Sequence, residues 1–277
     1  MAMPNDKNLI LYQMAKGILE GKKGIIFGAL DERSIAWKVA EQAKAEGAEF
    51  ILTNAPVALR MGQINELAEK TGSDVIPADV TNMDDLEALF TAGKDKFGGL
   101  DFVLHSVGMS PNVRKGKAYT ELNYDFFHKT LDISGMSLHR VLQTAKKLDA
   151  INEWGSVVAL TYIAAQRTFP GYNDMAEAKA LLESIARSFG YWYGYDKKVR
   201  VNTVSQSPTV TTAGSGVAGF DDFFNAAAAR SPLGNASAED CANFCISLFS
   251  DYTKMVTMQN LFHDGGFSNV GAGMNGE

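Results

Sequence analysis

The chain has 277 residues, of which 46% are hydrophobic and 21% are charged, with a formal net charge of −6 and a pI near 5.3. This composition is typical of a packed globular protein, and its acidic balance argues against nucleic acid or an anionic membrane as the main partner. No apolar run approaches the roughly 18–20 residues that cross a bilayer, and LILYQMA is too short for a secretory signal, so we expect a cytoplasmic protein without a membrane partner.

Short apolar strands alternate with amphipathic helices along the chain. Continuously apolar strands are typical of a parallel sheet covered on both faces, and their alternation with helices predicts right-handed crossovers. The pattern predicts a doubly wound, Rossmann-type α/β fold with a seven-stranded parallel sheet flanked by helices, in a single domain over 21–277 after an N-terminal extension of 1–20. The predicted strands are 24–29, 49–53, 74–79, 101–108, 156–162, 199–206 and 257–266, and the predicted helices are 34–48, 64–72, 83–99, 123–149 and 172–193.

Two loops interrupt this alternation, at 109–120 after the fourth strand and at 207–219 after the sixth. Both leave the carboxyl edge of the predicted sheet, which is where ligands bind in doubly wound folds. We therefore expect the functional site at this edge.

The two cysteines, Cys241 and Cys245, are four residues apart in a helical pattern. This spacing could place two metal ligands on one helix face, but the nearest histidine, His263, belongs to another element. Two buried, reduced cysteines and no metal site are the better interpretation.

The segment GALDERSIAW (28–37) joins the first strand to the first helix, where the pyrophosphate of a dinucleotide lies in such folds. Gly28 permits a tight turn and a close backbone approach, although the later glycines of a GxGxxG motif are missing. Ser34 either offers its hydroxyl and a helix-start N–H to a phosphate or caps the helix, and the two roles are compatible.

The second strand ends in Thr53, Asn54 and Ala55, with no carboxylate to hold the ribose hydroxyls of NAD. A 2′-phosphate site favours an arginine immediately after this strand, whereas the first arginine is Arg60. The pattern favours NADH and leaves NADPH open.

Two further strand ends carry candidate cofactor contacts. Asp79 either begins the next helix, in competition with Thr81 and Asn82, or accepts a hydrogen bond from an adenine amino group. The glycine of Ser106-Val107-Gly108 either lets a cofactor approach the backbone or ends the strand in an ordinary turn. Candidate contacts at four consecutive strand ends favour a dinucleotide site.

Tyr172 and Lys179 are seven residues apart in a predicted helix. Seven steps of about 100° return the lysine to nearly the same face, and helical side chains lean back towards the N-terminus. A nearby ammonium favours the phenolate, so we expect Lys179 to lower the pKa of Tyr172 from its usual value near 10. A tyrosine that packs and a lysine that is solvated form the ordinary alternative.

Across 21–270 the chain resembles the short-chain dehydrogenase/reductase superfamily, and more narrowly the bacterial enoyl-acyl-carrier-protein reductases of type II fatty-acid synthesis. The resemblance lies in GALDERSIAW, the Asp79-Val80 pair, HSVG (105–108), the set Tyr162, Tyr172 and Lys179, and HDGGFS (263–268). Ketone reducers of the superfamily usually carry a serine thirteen residues before the tyrosine, where this chain has Ala159. The resemblance therefore implies reduction of a C=C bond by NADH. A carbonyl reductase and a cofactor-binding sensor without turnover are the alternatives.

The resemblance also implies roles for individual residues. Tyr172 would donate to the thioester oxygen and Lys179 would hold the nicotinamide ribose, whereas the role of Tyr162 in the acyl pocket stays open. The Thr209 backbone would meet the nicotinamide amide and the Thr211 hydroxyl the pyrophosphate. The implied cofactor-binding residues are Gly28, Ala29, Leu30, Ser34, Ile35, Ala55, Asp79, Val80, Ser106, Val107, Gly108, Thr161, Lys179, Ser207, Thr209, Val210, Thr211, Thr212 and Ala213.

The resemblance places a lid over the acyl chain at about 207–230, although Ser207 stands where the family often has glycine before Pro208. The implied substrate contacts are Met109, Ser110, Tyr162, Tyr172, Met175 and Phe220. For Met109, Met175 and Phe220, ordinary core packing is the alternative.

The implied partners are an acyl-carrier protein bearing the enoyl substrate and three further copies of the chain in a homotetramer. Because carrier proteins are acidic, Arg114, Lys115 and Lys117 are candidates for the docking surface, and an ordinary solvated loop is the alternative.

Overall fold

The computed structural model describes residues 17–60, 63–212, 214 and 219–271. Most of the predicted extension, residues 1–16, and the candidate cofactor contact Ala213 lie outside this part of the chain. Leu19, at the end of the predicted extension, is buried, and its backbone N–H donates to the Glu46 carbonyl.

Seven parallel strands form one sheet in the order β3-β2-β1-β4-β5-β6-β7, which confirms the predicted doubly wound fold. The order reverses between β1 and β4, and this switch point opens a crevice at the carboxyl edge. The strands are β1 (Lys23–Phe27), β2 (Glu49–Thr53), β3 (Asp74–Val75), β4 (Leu100–His105), β5 (Ile151–Thr161), β6 (Arg200–Gln206) and β7 (Asn260–His263).

Helices cover both faces of the sheet. Four 3₁₀ turns (Tyr119–Glu121, Ile163–Ala165, Asp251–Thr253 and Phe267–Asn269) and one π-helical turn (Asp132–Met136) complete the described structure. The α-helices are α1 (Ile35–Ala45), α2 (Pro56–Leu59), α3 (Gln63–Thr71), α4 (Met83–Phe97), α5 (Pro111–Arg114), α6 (Tyr124–Leu131), α7 (Ser137–Lys147), α8 (Asp174–Lys197), α9 (Phe220–Arg230) and α10 (Ala238–Phe249).

The core has two layers, one on each face of the sheet, because successive strand residues point to opposite faces. Ile26 and Phe102 pack into the layer under α1, α3 and α10, and Ile25 and Val103 pack into the layer under α4, α7 and α8. This double burial explains why the strands are continuously apolar.

Three predicted elements differ from the structure. The third strand is a ladder of Asp74–Val75 alone, although Ile76 and Ala78 still donate backbone hydrogen bonds to the chain at β2. The helix predicted over 123–149 is interrupted by the π-helical turn, in which Gly135 lies so close to α8 that an added Cβ would be 2.8 Å from the Ala178 carbonyl oxygen.

The prediction that Tyr172 and Lys179 lie in the same helix is also wrong. Helix α8 begins at Asp174, because Asn173 has a left-handed φ of +44° and its side chain donates to the Lys117 carbonyl (2.6 Å). Tyr172 lies in the preceding turn, so its distance from Lys179 does not follow from helical spacing. Within the described residues, no helix combines the length and the apolar character that crossing a membrane requires.

Candidate active site

A cavity of about 670 Å³ opens at the carboxyl edge of the sheet, between the ends of β1, β2, β4, β5 and β6. Twenty-two of the predicted site residues line it: Gly28, Leu30, Ser34, Ile35, Ala55, Asp79, Val80, Ser106, Val107, Gly108, Met109, Ser110, Thr161, Tyr162, Tyr172, Met175, Lys179, Ser207, Thr209, Thr211, Thr212 and Phe220. Ala29 is buried in the core instead, and Val210 lines a neighbouring cavity of about 430 Å³.

The turn after β1 requires glycine at its first position. Gly28 has a φ of +96°, and a Cβ there would lie 1.9 Å from the carbonyl oxygen of Ser106 at the end of β4. The Ser34 hydroxyl donates to the Asp31 carbonyl (2.7 Å) and accepts from the Leu30 N–H (3.3 Å). Ser34 is the N-cap residue of α1, as the second alternative predicted, but its hydroxyl stabilises the turn and accepts no hydrogen bond from the helix N–H groups.

The ends of β2 and β3 form the next part of the wall. The Asn54 side chain donates to the Ala29 carbonyl (3.0 Å), which connects the β2 end to the turn after β1. Asn82, and not Asp79, caps α4, whereas the Asp79 carboxylate accepts from the Thr81 N–H and hydroxyl. Asp79 therefore does not begin the helix, and it faces the cavity.

Lys179 lies at the end of the cavity, between the ends of β4 and β5. Its ammonium donates to the Leu160 carbonyl (2.9 Å) and to the Val107 carbonyl (3.2 Å). The side chain is buried, and this burial lowers the pKa of Lys179 to about 8, although nearby Glu183 opposes the shift.

Tyr162 and Tyr172 pack together in the wall of the cavity that Lys179 also lines, with ring centroids 5.1 Å apart. Burial raises the pKa of both phenols well above the usual value of about 10, and for Tyr162 the neighbouring Tyr172 and Asp264 add to the rise. The expectation that Lys179 lowers the pKa of Tyr172 is therefore wrong. The ammonium is directed to two carbonyls, and the low polarity around the phenols dominates.

Both tyrosines are thus neutral hydrogen-bond donors at physiological pH. The Tyr162 hydroxyl oxygen is buried and has no hydrogen-bond partner among the described residues. A buried donor of this kind indicates that a bound ligand completes the site.

Met109, Met175 and Phe220 line the cavity, as does Phe223. Ser110 lines it too, but its hydroxyl is engaged within the protein, since it donates to Asp174 (2.6 Å) and accepts from the Val113 N–H (3.0 Å). A ligand in the cavity would therefore contact the backbone or Cβ of Ser110 and not its hydroxyl.

Asp174 is a functional-site residue that the sequence did not indicate. It is fully buried, and its carboxylate accepts from Ser110, from Asn112 (2.8 Å) and from Thr130 (2.9 Å). In the sequence, an aspartate at the start of a helix is indistinguishable from a solvated first-turn acid. The structure shows that Asp174 joins the loop after β4 and helix α6 to the start of α8.

The segment after β6 forms another part of the cavity wall. The Thr209 hydroxyl donates to the Ser207 carbonyl (3.0 Å), and the Thr211 hydroxyl accepts from the Gly214 N–H (2.9 Å). The Thr212 hydroxyl donates to the Asp31 carboxylate, which ties this segment to the turn after β1.

These surroundings fit a dinucleotide. The cavity is continuous from the glycine turn at Gly28, past the β2 and β3 ends, to the buried cation of Lys179 and the unpaired Tyr162 hydroxyl. Its volume lies within the usual range of about 300–1,000 Å³ for ligand sites. Both cysteines are buried and free, and the described residues contain no cluster able to hold a metal ion.

The strand order, the cavity at the switch point and the Tyr172–Lys179 pair define a dinucleotide-binding protein of the short-chain dehydrogenase/reductase superfamily. A family model described as Enoyl-(Acyl carrier protein) reductase matches residues 28–268. The chain is 36% identical to the enoyl-[acyl-carrier-protein] reductase [NADH] FabI of Rickettsia prowazekii (strain Madrid E) over 262 residues, which are 94% of this chain and 98% of that relative.

Solved structures agree with this match. The FabI–NADH complex of Alistipes finegoldii is 64% identical with a TM-score of 0.92, covering 94% of this chain and 92% of that one. The enoyl-[acyl-carrier-protein] reductase (NADH) of Aquifex aeolicus VF5 is 31% identical with a TM-score of 0.85, covering 92% of this chain and all of the other. The chain belongs to the enoyl-acyl-carrier-protein reductase family.

Proposed function

We propose that the protein reduces the C=C bond of trans-2-enoyl-acyl-carrier-protein thioesters with NADH, in type II fatty-acid synthesis. The observation that carries this proposal is the pair of neutral phenols, Tyr162 and Tyr172, packed together in a dinucleotide-sized cavity that Lys179 also lines. The buried Ala159 occupies the position at which ketone reducers of the superfamily carry a serine.

When bound in this cavity, NADH would supply a hydride for the β-carbon of the enoyl group. Negative charge then develops on the thioester oxygen, where the Tyr172 hydroxyl donates a hydrogen bond. The raised pKa of Tyr172 keeps this hydroxyl protonated, so that it acts as a neutral donor. The α-carbon is protonated afterwards, and Tyr162 is a proton-relay or positioning residue whose hydroxyl awaits a ligand partner.

Lys179 holds the ribose next to the nicotinamide, in exchange for one of its two carbonyl partners. The turn at Gly28 and the hydroxyls of Ser34 and Thr211 surround the phosphates. The β2 end offers neither a carboxylate nor an adjacent arginine to the 2′ position, which favours NADH while leaving NADPH usable.

Residues 207–230 act as a lid over the acyl chain, with Phe220 and Phe223 on its inner side. The proposed enzyme has one catalytic domain over 21–277, which contains this lid and follows an N-terminal extension of 1–20. The lid residue Thr212 is tethered to the turn after β1 through the Asp31 carboxylate.

An acidic acyl-carrier protein docks at the basic mouth of the cavity. Arg114 and Lys129 are exposed and line the cavity, and Lys115 and Lys117 lie next to Arg114 in the chain. Basic residues at this mouth would steer an acidic partner towards the site.

The protein assembles as a homotetramer in the cytoplasm. Tyr191, Trp192 and Tyr195 are exposed together on α8, which leaves an aromatic surface that a second copy would cover. Sedimentation at micromolar concentration tests this state, and a monomer would contradict it.

The direct test of the activity is the loss of NADH absorbance with crotonyl thioester, compared with acetoacetyl thioester under the same conditions. We expect turnover of the enoyl substrate alone. Turnover of the ketone alone would replace the proposal with a carbonyl reductase, and NADH binding without turnover of either would indicate a sensor.

A further inference from the structure

Helix α8 carries a second buried charge beside Lys179. Glu183 is 4% exposed, and both of its carboxylate oxygens accept hydrogen bonds. One oxygen accepts from the Thr161 hydroxyl (2.9 Å) and the Asn260 amide (3.2 Å), and the other accepts from the Gln166 amide (3.0 Å). A buried carboxylate with three donors is a fixed structural element and not a solvated side chain.

The partners of Glu183 enclose the segment that carries Tyr162. Thr161 immediately precedes this tyrosine, and Gln166 follows it by four residues, beyond the 3₁₀ turn Ile163–Ala165. Asn260 belongs to β7, so Glu183 connects the Tyr162 segment to the sheet edge as well. The position of the Tyr162 ring therefore depends on the carboxylate of Glu183.

Glu183 also lies one helical turn after Lys179, and the two residues bind consecutive residues of β5. Lys179 donates to the Leu160 carbonyl, and Glu183 accepts from the Thr161 hydroxyl. Side chains four apart on a helix share a face, so the carboxylate lies near the ammonium.

Among the residues that the structure describes, the other titratable groups around Lys179 offer it no negative charge at physiological pH. His105 of β4 is neutral, since burial lowers its pKa to about 3, and the phenols of Tyr162 and Tyr172 are protonated. The charge of Asp264, after β7, contributes to the raised pKa of Tyr162. Glu183 is the carboxylate that favours the charged form of Lys179.

We propose that Glu183 is a positioning residue of the active site, which fixes the Tyr162 segment through Thr161 and Gln166 and keeps Lys179 protonated for cofactor binding. This inference rests on the proposed function for the use of Lys179 and Tyr162. The charge that makes a buried lysine usable at neutral pH thus comes from a residue outside the cavity lining.

The test is Glu183→Gln, with NADH affinity measured by fluorescence titration from pH 6 to pH 9.5. Glutamine keeps the shape and the acceptor for Thr161, and the Gln166 amide can rotate to accept from the new NH₂ group. We expect the pH at which NADH affinity is half lost to fall by about one unit, as removal of a neighbouring opposite charge requires. At the wild-type midpoint this shift corresponds to a loss of affinity of about 5- to 6-fold.

Glu177→Gln is the matched control, because it removes the same charge from the same helix at a residue that bonds to the Tyr119 hydroxyl. We expect its NADH titration to coincide with the wild type. A Glu183→Gln midpoint equal to the wild-type midpoint would overturn the assignment of the charge.

Gln166→Leu tests the positioning role separately, since it removes one tether and leaves the Glu183 charge in place. We expect kcat to fall about 10-fold, with the NADH titration midpoint unchanged. An unchanged kcat would overturn this part, and the variant decides it even where Glu183→Gln does not fold. If Glu183→Gln shows the shifted midpoint while the wild type reduces no enoyl thioester, the result would contradict the proposed function and leave the role of Glu183 intact.

Discussion

The rings of Tyr162 and Tyr172 pack together in the cavity wall, with centroids 5.1 Å apart and planes tilted by 57°. Phe169 also packs against Tyr162, at a centroid distance of 5.2 Å. This aromatic surrounding excludes water and keeps both phenols protonated. One of the two can therefore donate to a developing oxyanion without first losing a proton.

Tyr172→Phe removes the proposed donor to the thioester oxygen and leaves the ring packing intact. We expect kcat for crotonyl thioester to fall about 100- to 1,000-fold, because the lost hydrogen bond acts in the transition state. The Kd for NADH, measured by fluorescence titration, is expected to stay within about twofold. Equal losses in kcat and in NADH affinity would show that Tyr172 supports the cofactor instead.

Lys179→Ala removes the buried cation at the ribose end of the cavity. We expect NADH affinity itself to fall at least about 10-fold, since the lost interaction is a charge-assisted hydrogen bond. Lys147→Ala, at an exposed lysine of α7, is the control for loss of one positive charge and is expected to bind NADH normally. Normal binding by both variants would remove Lys179 from the cofactor site.

The pKa of Lys179 predicts a specific dependence of stability on pH. Below about pH 8 the folded and unfolded chains both carry the Lys179 proton, whereas between about pH 8 and 10.5 only the unfolded chain retains it. Since the unfolded state binds more protons in this window, the free energy of unfolding rises with pH there, by about 1.4 kcal/mol per unit.

Lys179→Met lacks this group, so we expect urea titrations at pH 7 and pH 9.5 to show the ligand-free wild type gaining roughly 2 kcal/mol on the variant. Comparison with the variant cancels the titration of the remaining groups. A difference between wild type and variant that does not change with pH would mean that Lys179 titrates normally.

Asp174→Asn tests the buried network at the start of α8. Asparagine places an NH₂ group against at least one of three donors, and we expect a destabilisation of about 2–4 kcal/mol in urea unfolding. The KM for enoyl thioester is expected to rise as well, because Ser110 and Asn112 lose their anchor. Asp125→Asn, an exposed first-turn position of α6, serves as the control and is expected to unfold with the wild type.

The sequence predicted the sheet well, because strands covered on both faces leave continuous apolar runs. It predicted the cavity wall for a related reason, since parallel strands bring all their carboxyl ends to one edge. Long-range contacts decided the rest. The start of α8 depends on a bond from Asn173 to Lys117, and the π-helical turn depends on the contact between Gly135 and Ala178.

The pKa values of the site residues depend on burial, which the spacing of residues in the sequence does not reveal. Tyr172 and Lys179 have the expected identity and neighbourhood, but the pKa of the phenol moves in the direction opposite to the expected one. The sequence does not indicate the roles of the Asp174 and Glu183 carboxylates, because their partners are distant in sequence. Glu183 and Asn260, for example, are 77 positions apart.

The position at which NADH delivers its hydride tests the central claim most directly. NADH carrying deuterium at the transferable position is incubated with crotonyl thioester, and the product is analysed by mass spectrometry and NMR. We expect a saturated butyryl thioester with deuterium on the β-carbon and a solvent-derived proton on the α-carbon. An unconsumed crotonyl thioester, together with deuterium at the carbinol carbon of a 3-hydroxy product from acetoacetyl thioester, would contradict the claim.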